Sequence, residues 1–161
     1  MTPDARFPSD DRPPAAAGSI DLDRFVRAQD GIHTQALAEL VAGRKRTHWM
    51  WFVFPQLAGL GRSDTARFYG LAGVREARAY AAHPVLGARL RTCSEAVLTH
   101  RQRTANQIFG SPDDLKLCSC MTLFEVATQR ETVFGDVLAH FYGGTRDAAT
   151  LAWVAADVRG G

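Results

Sequence analysis

At 161 residues the chain has the length of one domain, and 46% hydrophobic with 22% charged residues places it in the ordinary globular class. Nineteen lysines and arginines against seventeen carboxylates leave a net charge of +2, too mild to argue for nucleic acid or an anionic membrane, and no apolar run approaches the roughly 20 residues of a membrane span. The positive residues divide unevenly, 17 being arginine and only two, Lys45 and Lys116, lysine.

Residues 1–19 contain Pro3, Pro8, Pro13 and Pro14 and almost no large apolar side chains, which predicts a disordered tail. The same stretch carries Asp4, Asp10 and Asp11 and has no apolar h-region, so it does not read as a signal peptide. A single all-helical domain is expected over 20–158. Asp21 or Asp23 can cap a first helix running through Ala28, and Ala36, Leu37, Leu40 and Val41 predict a second from His33 to Ala42, stopped by Gly43. Ser63 can cap a helix over 64–71. Val74, Ala77, Tyr80 and Ala81 mark another over 73–82, and Leu86, Leu90, Cys93 and Val97 give a core-facing stripe over 85–100. Ser111-Pro112-Asp113-Asp114 combines a capping hydroxyl, a first-turn proline and two carboxylates at the positive end of the helix dipole, so a helix is expected to about Thr128. Two more close the chain, over 131–142 and 147–154.

The run Trp49-Met50-Trp51-Phe52-Val53-Phe54 has the composition of a buried strand. The other segment of β character, Met121 to Val126, lies inside the best-signalled helix, so 47–54 is expected to be a short buried helix capped by Thr47.

Cys93, Cys118 and Cys120 are odd in number, and the last two lie on nearly opposite helix faces, which points to reduced thiols and a cytoplasmic location. With no CxxC, no HExxH and no paired spacing among the five histidines, neither a metal site nor a cofactor is expected.

Several residues could carry chemistry. Gly59-Leu60-Gly61-Arg62-Ser63 ahead of a helix could cradle phosphate, but it lacks the third fingerprint glycine, and a turn with positive-φ glycines is the plainer reading. Lysine differs from arginine in its compact ammonium, so two lysines among 17 arginines draw attention. His48 can serve as a general acid or base, or be a buried histidine bonded to a carbonyl. Trp49 and Trp51 offer stacking surfaces but, two apart on a helix, cannot share a face. Lys116, Ser119 and Thr122 follow one helical course and could wall a pocket. Glu76 and Glu125 lack an evident paired partner, which leaves a two-carboxylate hydrolase unsupported.

Lys45-x-x-His48-Trp49-Met50-Trp51-Phe52-Val53-Phe54-Pro55-Gln56, Gly59-Leu60-Gly61-x-Ser63, Tyr69, Glu76-Ala77, His83-Pro84-x-Leu86-Gly87-x-Arg89-Leu90, Ile108-Phe109-Gly110, Asp113-x-x-Lys116-Leu117 and Ser119-x-Met121-Thr122-Leu123-Phe124 resemble a bacterial family known as domain of unknown function 1810, whose members are sometimes mislabelled calpastatin. The resemblance spans about residues 20–155. It implies a compact all-helical fold and supplies no activity. Cys120 stands where a serine is usual in that family, and His33 where a tyrosine is common.

These readings converge on a pocket between the aromatic segment and the helix after Pro112. Lys45, Lys116 and the Gly59, Gly61, Ser63 turn would receive an anionic group, and His48, Trp49, Trp51, Gln56, Ser119 and Thr122 would complete the site. A small anionic, nucleotide-like or ADP-ribose-like ligand is expected, with N-glycosidic hydrolysis as an extension and His48 as the candidate catalytic residue. The competing expectation is a non-catalytic interaction module whose aromatic run is core. Neither a membrane nor nucleic acid is an expected partner, since only Arg44-Lys45-Arg46 speaks for the latter.

Overall fold

A computed structural model describes residues 20–129 and 131–160; the tail expected over 1–19 lies outside them. The described chain is all-helical. In order, the helices are α1 (Asp23–Gln29), α2 (His33–Ala42), α3 (Met50–Val53), α4 (Asp64–Tyr69), α5 (Val74–Ala82), α6 (Leu86–Leu98), α7 (Ala105–Phe109), α8 (Asp113–Thr128), α9 (Thr132–Tyr142) and α10 (Ala148–Gly160), with a 3-10 turn over Ala58–Leu60. The β character among the described residues is confined to one parallel bridge between Leu57 and Leu71, closed by Ala58 N–H to Leu71 O (2.8 Å) and Leu71 N–H to Gln56 O (2.9 Å).

α8 is the central element. It packs against α5, α7, α9 and α10, and from Leu117 to Phe124 every residue is buried. A helix covered on all sides needs apolar residues around its whole circumference, which is why Met121 to Val126 mimics a strand in composition. Phe124 of α8 packs with Phe25, Trp49, Phe54, Tyr80 and Phe134 of the surrounding elements in one core, all six essentially inaccessible to solvent. Their rings meet edge-on or tilted, Phe25–Tyr80 at 5.1 Å, Tyr80–Phe124 at 5.4 Å and Phe124–Phe134 at 5.8 Å between centroids.

Two local expectations are corrected, and one element is added. The aromatic run forms only one helical turn, Met50–Val53, and Thr47 does not cap it, because the Thr47 hydroxyl donates to Glu39 instead (2.6 Å). α8 begins at Asp113 with Pro112 as the flanking residue, the Ser111–Pro112 peptide is cis, and no side chain caps the helix, so Ser111 is not a capping hydroxyl. α7 was not foreseen; Thr104 and Gln107 close a reciprocal capping box at its start, a Thr-x-x-Gln signature that can be read in the sequence. Elsewhere the starts agree closely. Ser63 caps α4 by accepting from Ala66 N–H (3.0 Å), and Gly43 and Gly143 end α2 and α9 in the left-handed conformation.

Candidate functional site

The site is built on α3, the segment leading into it, and the first turn of α8. A four-residue helix has no stability of its own, so α3 must be held from outside, and it is held at both ends. On its N-terminal side, Glu39 of α2 accepts from the backbone N–H groups of Arg46 (2.7 Å) and Thr47 (3.1 Å), from the Thr47 hydroxyl, from the Trp49 indole N–H (2.9 Å) and from the Gln35 amide (3.2 Å). Burial by itself pulls the Glu39 carboxyl pKa up, but the bonds from the Thr47 hydroxyl, the two backbone amides and the indole outweigh it and hold the group at about 2. On its C-terminal side, the Phe52 carbonyl accepts from Gln29 Nε2 (2.8 Å) and from the Tyr80 hydroxyl (3.0 Å). The two anchors fix which side of the turn faces outward, and that side carries Trp51.

Lys45 enters the site because its N–H donates to the Ile108 carbonyl (2.7 Å). Its ammonium reaches Asp113 Oδ2 at 2.8 Å and lies 5.1 Å from the Trp49 ring centroid, with the side chain only 7% exposed. Lys116, one turn along α8, approaches the other carboxylate oxygen of Asp113 at 3.6 Å and stands 5.2 Å from the Trp51 ring centroid. The two lysines of the chain therefore meet on one carboxylate, each beside a different tryptophan. Lys45, His48, Met50, Trp51, Ser111, Pro112 and Asp113 line a cleft of about 250 Å³. Met50 and Trp51 also border a slot of about 10 Å³, room for about one water, closed by Lys116, Gln56 and Tyr69.

Not every expected residue belongs here. Trp49 is fully buried, with its indole N–H committed to Glu39, so it is core and offers no stacking face; Trp51 is half-buried. His48 is exposed at the cleft rim, which removes the buried-histidine reading. Ser119 and Thr122 do not wall the cleft: both are buried, bonding back to the carbonyls of Leu115 (3.3 Å) and Cys118 (2.8 Å), and Thr122 also accepts from Asp147 N–H (3.0 Å). The Gly59, Gly61, Ser63 turn is absent from the cleft lining as well. Neither glycine has positive φ. Each is small because a neighbour lies close, a Cβ on Gly59 meeting the Trp153 ring at 2.2 Å and one on Gly61 meeting Ala66 Cβ at 2.4 Å, while the Ser63 hydroxyl is occupied as a cap. The carboxylates left unpaired by the sequence also find partners, Glu76 with Arg24 (2.8 Å) and Glu125 with Arg146 (2.6 Å).

Sequence reasoning missed Glu39 and Asp113 as organising groups. A signal for Glu39 existed, since a carboxylate in the last turn of a helix opposes the dipole and needs another reason to be there. Asp113 stands in plain view, as a dipole partner and in the Asp113-x-x-Lys116-Leu117 motif, but nothing in the sequence marks it as the carboxylate that both lysines share.

Comparison with known proteins places this arrangement in a wider group. No curated protein matches the chain. A crystal structure of the conserved hypothetical protein Rv1873 from Mycobacterium tuberculosis is similar, with a TM-score of 0.83 and 52% identity, over 84% of this chain and 96% of that one. The family model described as Protein of unknown function (DUF1810) matches residues 19–154, and the chain belongs to that family.

Proposed function

We propose that the cleft between the aromatic segment and the start of α8 binds a small anionic ligand with a flat portion. The observation that carries this reading is the meeting of Lys45 and Lys116 on Asp113 beside the half-buried Trp51. Two ammoniums on one carboxylate leave a net positive charge at the cleft, and Trp51 supplies a surface for a planar ring. At about 250 Å³ the cleft falls just below the ~300 Å³ at which drug-sized pockets begin, so it takes the base or the ribose of a nucleotide and leaves the rest of an ADP-ribose-like molecule outside. Among the described residues Asp113 is the one carboxylate lining the cleft, so a hydrolytic role does not follow the two-carboxylate pattern. Three buried free thiols accord with a reducing compartment, and no helix among the described residues is long and apolar enough to cross a membrane.

The test is a thermal melt against AMP, ADP-ribose, D-ribose 5-phosphate and inorganic phosphate. At saturation at least one organic member should raise Tm by about 5 °C or more, and Trp51→Ala should abolish the rise. A flat response across the panel would reject the pocket. It would favour an interaction module, for which the 63% exposed Leu115, in the same turn as Asp113 and Lys116, is the pertinent observation.

A further inference from the structure

We propose that Lys45 is a nucleophile whose Nζ forms a covalent carbon–nitrogen bond with the carbonyl or anomeric carbon of a small sugar-like substrate held in the cleft. The proposal rests on the cleft reading above and adds the chemistry.

The first argument is what lysine does that arginine cannot. Pairing with a carboxylate is done better by arginine, whose planar fork binds both oxygens, and arginine outnumbers lysine in this chain 17 to two. An ion pair alone therefore gives no reason for lysine at position 45. An amine, unlike a guanidinium, can release a proton and attack carbon.

The second argument is placement. The Lys45 side chain is 7% exposed, in contact with Asp113 and beside the Trp49 ring, yet it lines the space of about 250 Å³. Lys116 lines the slot of about 10 Å³, which admits no substrate. Of the two amines, Lys45 is the one that lines the larger cleft, while the Lys116 side chain is 26% exposed to solvent.

The third argument is charge. Lys45, Asp113 and Lys116 together carry one positive charge, so a proton lost from Lys45 leaves a neutral cluster and not an exposed single charge. The Asp113 carboxylate at 2.8 Å favours the ammonium form, so the lone pair becomes free only as Nζ hands a proton on. Asp113, in contact with Nζ at 2.8 Å, can take and return that proton, and His48 at the cleft rim is a second group that can relay it.

The step balances without an oxidant or reductant. With an aldehyde, the Nζ lone pair of the neutral amine forms the C–N bond as the carbonyl π bond breaks, one amine proton passes to the oxygen to give the carbinolamine, and transfer of the second lets that oxygen leave as water, giving the imine. With an N-glycoside, the Nζ–C1 bond forms as the C1–N bond breaks, and the departing nitrogen takes the proton released by Lys45. Water then adds to C1, freeing the sugar and restoring the amine. This route needs no second carboxylate.

The experiment incubates the full chain with D-ribose 5-phosphate and sodium cyanoborohydride, follows intact mass, and maps the adduct by peptide digestion, with tryptophan fluorescence recorded in parallel. One adduct is expected, on Lys45, forming about tenfold or more faster than on Lys116 or the chain's α-amino group and lost in Lys45→Arg. Because the competing amines are compared within the unsubstituted protein, the result does not depend on the variant folding. Fluorescence quenching that disappears in Trp51→Phe, without an adduct on Lys45, would overturn the nucleophile and leave the cleft reading intact. Neither quenching nor adduct would overturn both. An adduct spread evenly over all three amines would show only general amine reactivity and overturn the proposal.

Discussion

Glu39 takes five donors on two oxygens, and four of them come from the segment that carries Lys45, His48 and Trp51 into the site. Its carboxyl pKa, held at about 2 against an ordinary 4.5, makes it an acid-sensitive support. The folded value is depressed, so this contribution is fully present above about pH 4.5 and is lost as pH falls towards 2. Chemical denaturation across that window should show a fall of about 3 kcal/mol attributable to this group, and Glu39→Gln should be less stable at pH 7 while largely losing that acid dependence. An unchanged acid profile in Glu39→Gln would mean that the carboxylate does not support the segment. The same residue shows a limit of reading from sequence. A helical stripe identifies Leu40 and Ala36 as core, but nothing local says that the chain returns seven to ten residues later to place its amides on Glu39. Lys45, His48 and Trp51 were legible because each belongs to an unusual local composition; Ser119 and Thr122 looked alike as polar residues, although both are buried and satisfied by their own helix.

At the scale of the element, helices were readable where a helical pattern ran into a glycine stop, as in α2 and α9, even though neither has a side-chain cap. The exceptions have physical causes. α3 is set by tertiary hydrogen bonds to Gln29, Glu39 and Tyr80, and a turn that short carries no periodic signal. Glycines misled for a related reason. Gly59 and Gly61 suggested backbone freedom, whereas what they provide is close approach. Gly87 shows the same rule inside a helix, where propensity alone would have Gly→Ala stabilise α6 by up to about 1 kcal/mol. A Cβ at Gly87 would sit 2.1 Å from the Ala81 carbonyl oxygen, and backbone at that distance cannot swing aside. Gly87→Ala should therefore cost about 2 kcal/mol or more in urea or thermal unfolding, by forcing α5 and α6 apart. A neutral or stabilising result would show that the junction between the two helices is looser than described.

At the scale of the whole molecule, α8 links core and cleft. Its middle is wrapped by α5, α9 and α10, while its first turn presents Asp113 and Lys116 beside Trp51. A rigid central helix with one open end is a sound base for the proposed site, because burial of the rest fixes the position of that end. The all-helical class followed from the chain's caps and stripes; the convergence of residues 45 and 116 did not, since nothing local couples points 71 positions apart. With only two lysines in the chain, that convergence can be read directly. Protein labelled with carbon-13 at the lysine ε position should give two NMR signals, both displaced from the free-lysine shift. Asp113→Asn should move both, and so should the ligand that raises Tm. Two signals at the free-lysine position, or a response to Asp113→Asn confined to one of them, would contradict a shared site.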